Sequence, residues 1–228
     1  MRSIFIYIAG ALLASQASWA ARPFAAEDAA VEDPGVCHLE TWIDHAAESQ
    51  HNHVAPACGL PHGLELVLEL DAPSQHRTEV HAIASALRWA PESWVWQGWR
   101  FGGKLSSAHE RAPGDGKHHY AGWSALAIAS HAWNDQWSTH LNLGHAHDRI
   151  GREDATVFGA ALTYSPHERV ILFAEINGDN HYTPTQAAGI RYWLIQDVLG
   201  LDATVSKANA TPNSTTWGVG FGWYGLRF

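Results

Sequence analysis

Trp217-Gly218-Val219-Gly220-Phe221-Gly222-Trp223-Tyr224-Gly225-Leu226-Arg227-Phe228 closes the chain. From Trp217 to Trp223 large apolar residues alternate with glycine, the period of two that sends successive side chains to opposite faces of a strand. One face is then aromatic and aliphatic, and the other carries no side chains. From Tyr224 onward the large residues (Tyr224, Leu226, Phe228) switch parity, which predicts a change of face at a bulge. The other terminus reads differently. Arg2 is the only charge in the first twenty residues, Ile4 to Ala14 is apolar, and Ser18-Trp19-Ala20 places small residues at the −3 and −1 positions of a cleavage site. This predicts a signal peptide over 1–20.

Working inward from the tail, twelve strands are expected: Thr216–Phe228, Gly200–Lys207, Thr185–Ile195, Val170–Asn177, Ala155–Ser165, Ser138–Ala146, His118–Trp133, Trp94–Gly103, Thr78–Trp89, Leu64–Leu70, His53–Cys58 and Val36–Asp44. Leu64, Leu66, Leu68 and Leu70 alternate with Glu65, Val67 and Glu69. Val170, Leu172, Ala174 and Ile176 alternate with Ile171, Phe173, Glu175 and Asn177. Ala188, Ile190, Tyr192 and Leu194 alternate with Gly189, Arg191 and Trp193, and Leu201, Ala203 and Val205 with Asp202, Thr204 and Ser206. The first set in each case suits lipid and the second a lumen. No later segment has eighteen consecutive apolar residues, so a closed barrel or surface association remains as the way to sit in a membrane. Short connections (91–93, 134–136, 166–168, 196–198) alternate with mostly longer ones (104–117, 147–154, 178–184, 208–215), as periplasmic turns and extracellular loops do. The expected fold is all-β, an antiparallel up-and-down transmembrane β-barrel of about 12 strands over 36–228.

Composition agrees. A chain of 228 residues makes one domain after loss of the signal. Its formal charge is −9, one unit more negative once Arg2 leaves, which argues against nucleic acid as a partner. Twelve Trp suit interfacial girdles, where an apolar ring and an N–H donor meet the headgroup boundary. A Trp-rich soluble β-sandwich is the competing reading. Residues 21–35, with two prolines and no periodicity, read as a periplasmic leader. The only cysteines are Cys37 and Cys58; no CxxC or zinc spacing exists. A hairpin register that pairs Ile43 with Asn52 also pairs Cys37 with Cys58, so a disulfide is expected to staple the periplasmic ends of the first two strands.

Inward parity selects His38, Glu40, Asp44, Glu65, Glu69, Glu79, His81, Arg100, His140, Asn142, Glu175 and Arg191. Of these, Glu40, Glu65, Glu69, Glu79 and Glu175, opposed by Arg100 and Arg191, are the pore candidates, and the excess of acids predicts a preference for cations. The competing reading is a packed polar interior that fills a barrel of this size. Sixteen His are many. His145 and His147, two residues apart on one strand, point the same way and are candidate metal ligands at the outer rim. Ser130 and His131 are adjacent and face opposite sides, so they form no nucleophile–base pair. No GxSxG or HExxH is present. An enzyme is not expected, catalytic residues are none, and no cofactor is implied; a barrel hydrolase is the third reading.

The tail resembles the closing strand of outer-membrane barrels, whose assembly machinery reads a C-terminal aromatic. Arg22-Pro23-Phe24, Asp28-Ala29, Pro34-Gly35 and Leu39-Glu40 resemble the start of outer-membrane transporters of the phenol-degradation MetA-pathway type, which begin with Arg-Pro-Leu, Thr-Asp-Asp-Ala, Pro-Gly and a Leu-Glu strand. Ala26-Glu27-Asp28-Ala29 departs from that pattern, and the cysteine pair is an addition. The resemblance implies a bacterial outer-membrane location, with membrane lipid and the assembly machinery as partners. It also implies passage of a small, aromatic or other, solute. A closed structural or surface metal-binding barrel is the alternative, and openness of the lumen separates the two.

Overall fold

A computed structural model of the chain describes residues 25–47, 49–73, 80–111, 116–208 and 214–227. The expected signal peptide, the leader before residue 25, Glu79 and Phe228 lie outside these residues. The strands are β1 (Val36–His45), β2 (Gln50–Leu60), β3 (Leu64–Pro73), β4 (Ala82–Trp89), β5 (Val95–Trp96), β6 (Trp99–Arg111), β7 (His118–Ala132), β8 (Trp137–Asp148), β9 (Glu153–His167), β10 (Val170–Asp179), β11 (Thr185–Ile195), β12 (Leu199–Ala208) and β13 (Ser214–Arg227). Consecutive strands pair, except that β4 pairs with β6 and not with β5, and β1 pairs with β13. Twelve strands therefore close an antiparallel up-and-down barrel. Closure leaves no unpaired edge, which the hydrocarbon layer would not tolerate.

β5 is the piece that sequence reading joined to the barrel wall. Trp96 pairs with Trp99, and between them Gln97 and Gly98 have φ of +49° and +82°. Two central residues with positive φ make a tight hairpin. The expected strand Trp94–Gly103 thus splits at this turn, and the wall strand begins at Trp99 and runs on to Arg111. The long loop expected from Lys104 to Lys117 shortens accordingly.

The faces follow the alternation. Leu66, Leu105, Leu143 and Val219 are each more than half exposed, whereas Glu65, Lys104, Asn142 and Gly218 beside them are buried. An apolar exterior and a polar interior invert the soluble pattern and suit a lipid belt. Aromatic rings gather at the end that holds the starts of β1 and the finish of β13: Trp89 lies 4.1 Å from Trp94, Trp99 lies near His131 and Trp133, and Trp137 stacks on Tyr164. Trp123 and Trp217 stand toward the other end, the distal mouth.

The predicted change of face in the last strand is a bulge. The β1–β13 register shifts between Cys37 and Leu39, opposite Leu226 and Trp223, and Gly225 takes φ +73°, where a side chain would be strained. The bulge returns Tyr224 to the lumen. Pro56 does sit inside β2, and the β2–β3 ladder skips Ala55 and Pro56, as the missing N–H requires.

Cys37 faces Cys58 in the predicted register, and the two form a disulfide across 21 residues. In the chain-entropy model such a loop is worth about 3 kcal/mol. The exported protein is expected to show no alkylatable thiol before reduction and two after it. Two alkylated cysteines without reduction, read by mass, would contradict the pairing.

Candidate functional site: an occupied lumen

The leader is the main departure from expectation. Residues 25–32 do not hang below the barrel; they run inside it. Ala25 and Ala26 donate their N–H groups to Glu175 Oε2 on β10, at 2.7 and 2.9 Å. Glu27 N–H donates to Asn142 Oδ1 on β8 at 2.6 Å, and Asn142 Nδ2 returns a bond to Glu27 O at 2.8 Å. Ala29 N–H donates to Ser130 Oγ on β7 and Glu32 N–H to Glu65 Oε2 on β3, each at 2.9 Å. Those partners project inward from strands around the ring, so a segment that touches them all crosses the bore. Alanines at 25, 26 and 29 let the backbone come this close. Gly59 is needed on the wall, because a Cβ there would stand 2.2 Å from Glu32 O.

The crossing is anchored by ionic contacts. The Glu27 carboxylate takes a bond from Lys104 Nζ and stands 3.2 Å from Arg88 Nε. Arg88 also donates to Asp28 Oδ1 at 2.8 Å and to Glu65 Oε1 at 2.7 Å. Glu27, Glu65, Arg88 and Lys104 are all at most 6% exposed. Out of water each of these groups is costly without its opposite beside it. His38 Nδ1 lies 3.1 Å from Glu32 Oε1 where the leader joins β1.

A second knot fills the neighbouring sector. Arg191 reaches both Asp202 oxygens, Nε at 2.7 Å and Nη2 at 2.8 Å, in the fork geometry that favours arginine. Its guanidinium lies 5.1 Å from the ring centroids of both Trp193 and Tyr224, and Tyr224 Oη donates to Glu40.

Of the expected pore residues, Glu40, Glu65, Glu69, Glu175 and Arg191 face inward. Glu40, Glu65, Glu175 and Arg191 are bound in these networks rather than standing as a free carboxylate ring. Arg100 has inward parity, cross-strand to Ser130, but is exposed at the rim near the termini. Asn142, another inward candidate, holds the leader. Sequence reading passed over Arg88 and Lys104, the main lumen cations. The flanking Leu87, Trp89 and Leu105, all exposed, are the one local sign of their inward parity, on strands otherwise rich in small residues.

His145 and His147 point out of the barrel, where both meet Asp154: His147 Nδ1 at 2.9 Å and His145 Nε2 at 3.3 Å from the same Oδ1. Among the described residues no group of three or more His, Cys, Asp or Glu is arranged to hold a metal ion. Ser130 Oγ lies 2.9 Å from His140 Nδ1, its cross-strand partner. That pair is covered by Ala29, so it docks the leader.

Fold and lumen together define a closed twelve-stranded β-barrel, with an apolar exterior and a polar interior, that carries its own N-terminal segment in its bore. The chain belongs to the family described as Uncharacterised conserved protein UCP029691, whose model matches residues 8–222. No curated protein matches it in sequence. Among solved structures it is similar to the KdgM porin in complex with disordered oligogalacturonate, at 9% identity over 82% of this chain and 98% of that one, with a TM-score of 0.64. It is similar to the NanC porin at 7% identity over 82% of this chain and 100% of that one, TM-score 0.65. The toluene transporter TodX of Pseudomonas putida aligns at 8% identity over 84% and 90%, TM-score 0.50. Likeness at such identity is likeness of fold. None of these matches carries the MetA-pathway description.

Proposed function

We propose that the protein is an outer-membrane channel for small polar solutes, favouring cations, held closed by residues 25–32 of its own chain. The observation that carries this reading is the buried anchoring of Glu27 between Lys104 and Arg88. The contacts are hydrogen bonds and ion pairs to one short segment, not a continuous apolar core, so water and counter-ions can take the segment's place at these groups when it withdraws. With the leader withdrawn, Glu40, Glu65, Glu69, Asp71, Glu175 and Asp202 would line the wall against Arg88, Lys104 and Arg191. A confined acidic lining attracts cations. An aromatic solute, which the MetA-pathway resemblance suggests, would have to desolvate these charges, which is unfavourable.

Conductance in planar bilayers tests it. The full-length protein is expected to stay near baseline, while the chain lacking residues 21–33 conducts, with reversal potentials in a salt gradient that favour cations. Silence from both chains would favour a closed structural barrel. Equal conductance from both would mean that the leader is no gate.

A further inference from the structure

The outer wall carries an open groove of about 330 Å³ on its distal half, where β3, β4, β6 and β7 run side by side. The register sets its side chains in rows. Leu66, Leu87 and Leu105 share the row nearest the middle of the wall. Ser85 pairs with Ser107, and Ser107 with Trp123, in the next row toward the mouth. His109 pairs with Tyr120 in the row beyond. Successive rows are two residues apart, about 6–7 Å along the strand. Leu66, Leu87, Leu105 and Trp123 are exposed, and the small serine side chains between them leave the groove its depth.

Basic groups crown the groove at the mouth. The Arg149 guanidinium lies 5.7 Å from the centroid of the Tyr120 ring, and among the described residues it meets no carboxylate. The His109 ring meets Tyr120 edge-on at 5.7 Å. On the neighbouring sector of the outer wall, Asp154 is taken up by His145 and His147. The serines are the informative members. Among the described residues neither the Ser85 nor the Ser107 hydroxyl makes a hydrogen bond, although both stand on the face that meets hydrocarbon. A hydroxyl left unpaired there is costly unless an acceptor comes to it from outside the chain.

We propose that this groove seats one phosphate-bearing lipid of the outer leaflet. Its phosphate faces Arg149 and His109, its acyl-ester carbonyls meet the two serines, and one chain lies along the three leucines. The order of chemistry down the wall selects that occupant. Guanidinium favours phosphate over other partners, and a basic pocket beside membrane-spanning segments suits an anionic headgroup. A carbonyl accepts and does not donate, as the serine hydroxyls require. The apolar row lies deepest, where a chain would run. Short turns mark the end that holds the termini, so the distal mouth is the outer one. A second copy of this chain fits worse, because a two-fold contact would bring the same basic rim together twice. The site lies outside the wall and does not depend on the channel reading.

Native mass spectrometry of the full-length protein, titrated with diphosphoryl lipid A in a neutral detergent, decides it. One tightly bound lipid per chain is expected. Arg149→Ala should weaken it about fivefold, the share of one basic residue at a membrane surface. Ser107→Phe, which fills the groove and leaves the crown intact, should weaken it as well. Arg169→Ala, at the opposite end of the barrel, should bind as the parent does. Heat-modifiable migration in gels checks that each variant is folded. Equal binding of phosphatidylcholine would mean ordinary annular lipid, and equal binding of glycerol phosphate would mean a headgroup site without the groove; either would overturn the proposal. So would a dimer in place of the lipid adduct, the absence of any adduct, or undiminished binding by both Arg149→Ala and Ser107→Phe.

Discussion

Arg88→Met should destabilise the barrel by about 3–5 kcal/mol, the range for removing one partner of a buried ionic group. Arg88 serves three carboxylates at once: Glu65 through Nη1, Asp28 through Nη2 and Glu27 through Nε. Methionine fills much of the volume but leaves Glu27 and Glu65 buried, with Lys104 as the remaining partner of Glu27. Arg88→Lys should rescue little, because a point charge cannot reach three directions as the planar fork does. Adding Glu27→Gln and Glu65→Gln should recover much of the loss, since the orphaned charges go too. Urea unfolding in lipid vesicles measures each step. A loss below about 1 kcal/mol for Arg88→Met would mean that these groups are solvated and the lumen is wet.

The wall of this barrel was legible in the sequence because lipid enforces the alternation. Leu64 to Leu70 and Val170 to Ile176 have one apolar face each, and a slip of one residue would put Glu65 or Glu175 in hydrocarbon. The cysteine register followed from the same constraint. The lumen was less legible. Arg88 and Lys104 sit on strands rich in Ala, Ser and Gly, where one face differs little from the other. The Gln97-Gly98 hairpin lacks the usual Asn-Gly or Asp-Gly signal, so β5 was read into β6. The leader was the hardest part. Ala25 to Glu32 has no period and no apolar side chain larger than Val31, and such a stretch reads as a solvated tail. Its partners, Glu175, Asn142, Ser130 and Glu65, are up to 150 positions away in sequence, and nothing local announces them.

The central claim is positional: the leader lies across the bore, and its presence there closes it. Ala26 and Gly159 give a direct handle, because a Cβ built on Gly159 stands 3.5 Å from Ala26 Cβ. Cβ atoms about 3.5–4.5 Å apart accept a disulfide. The pair Ala26→Cys/Gly159→Cys, made in the leader and in β9, should therefore cross-link in the exported protein, alongside Cys37–Cys58. Conductance of that variant in planar bilayers, with and without reductant, is the measurement that tests the account most directly. The cross-linked protein is expected to stay silent, and the reduced protein to return to the near-baseline conductance of the full-length chain, well below that of the chain lacking residues 21–33. Failure to form the cross-link in a correctly folded barrel would contradict the position of the leader, and a cross-linked protein that conducts as well as the leaderless chain would contradict its role as the gate.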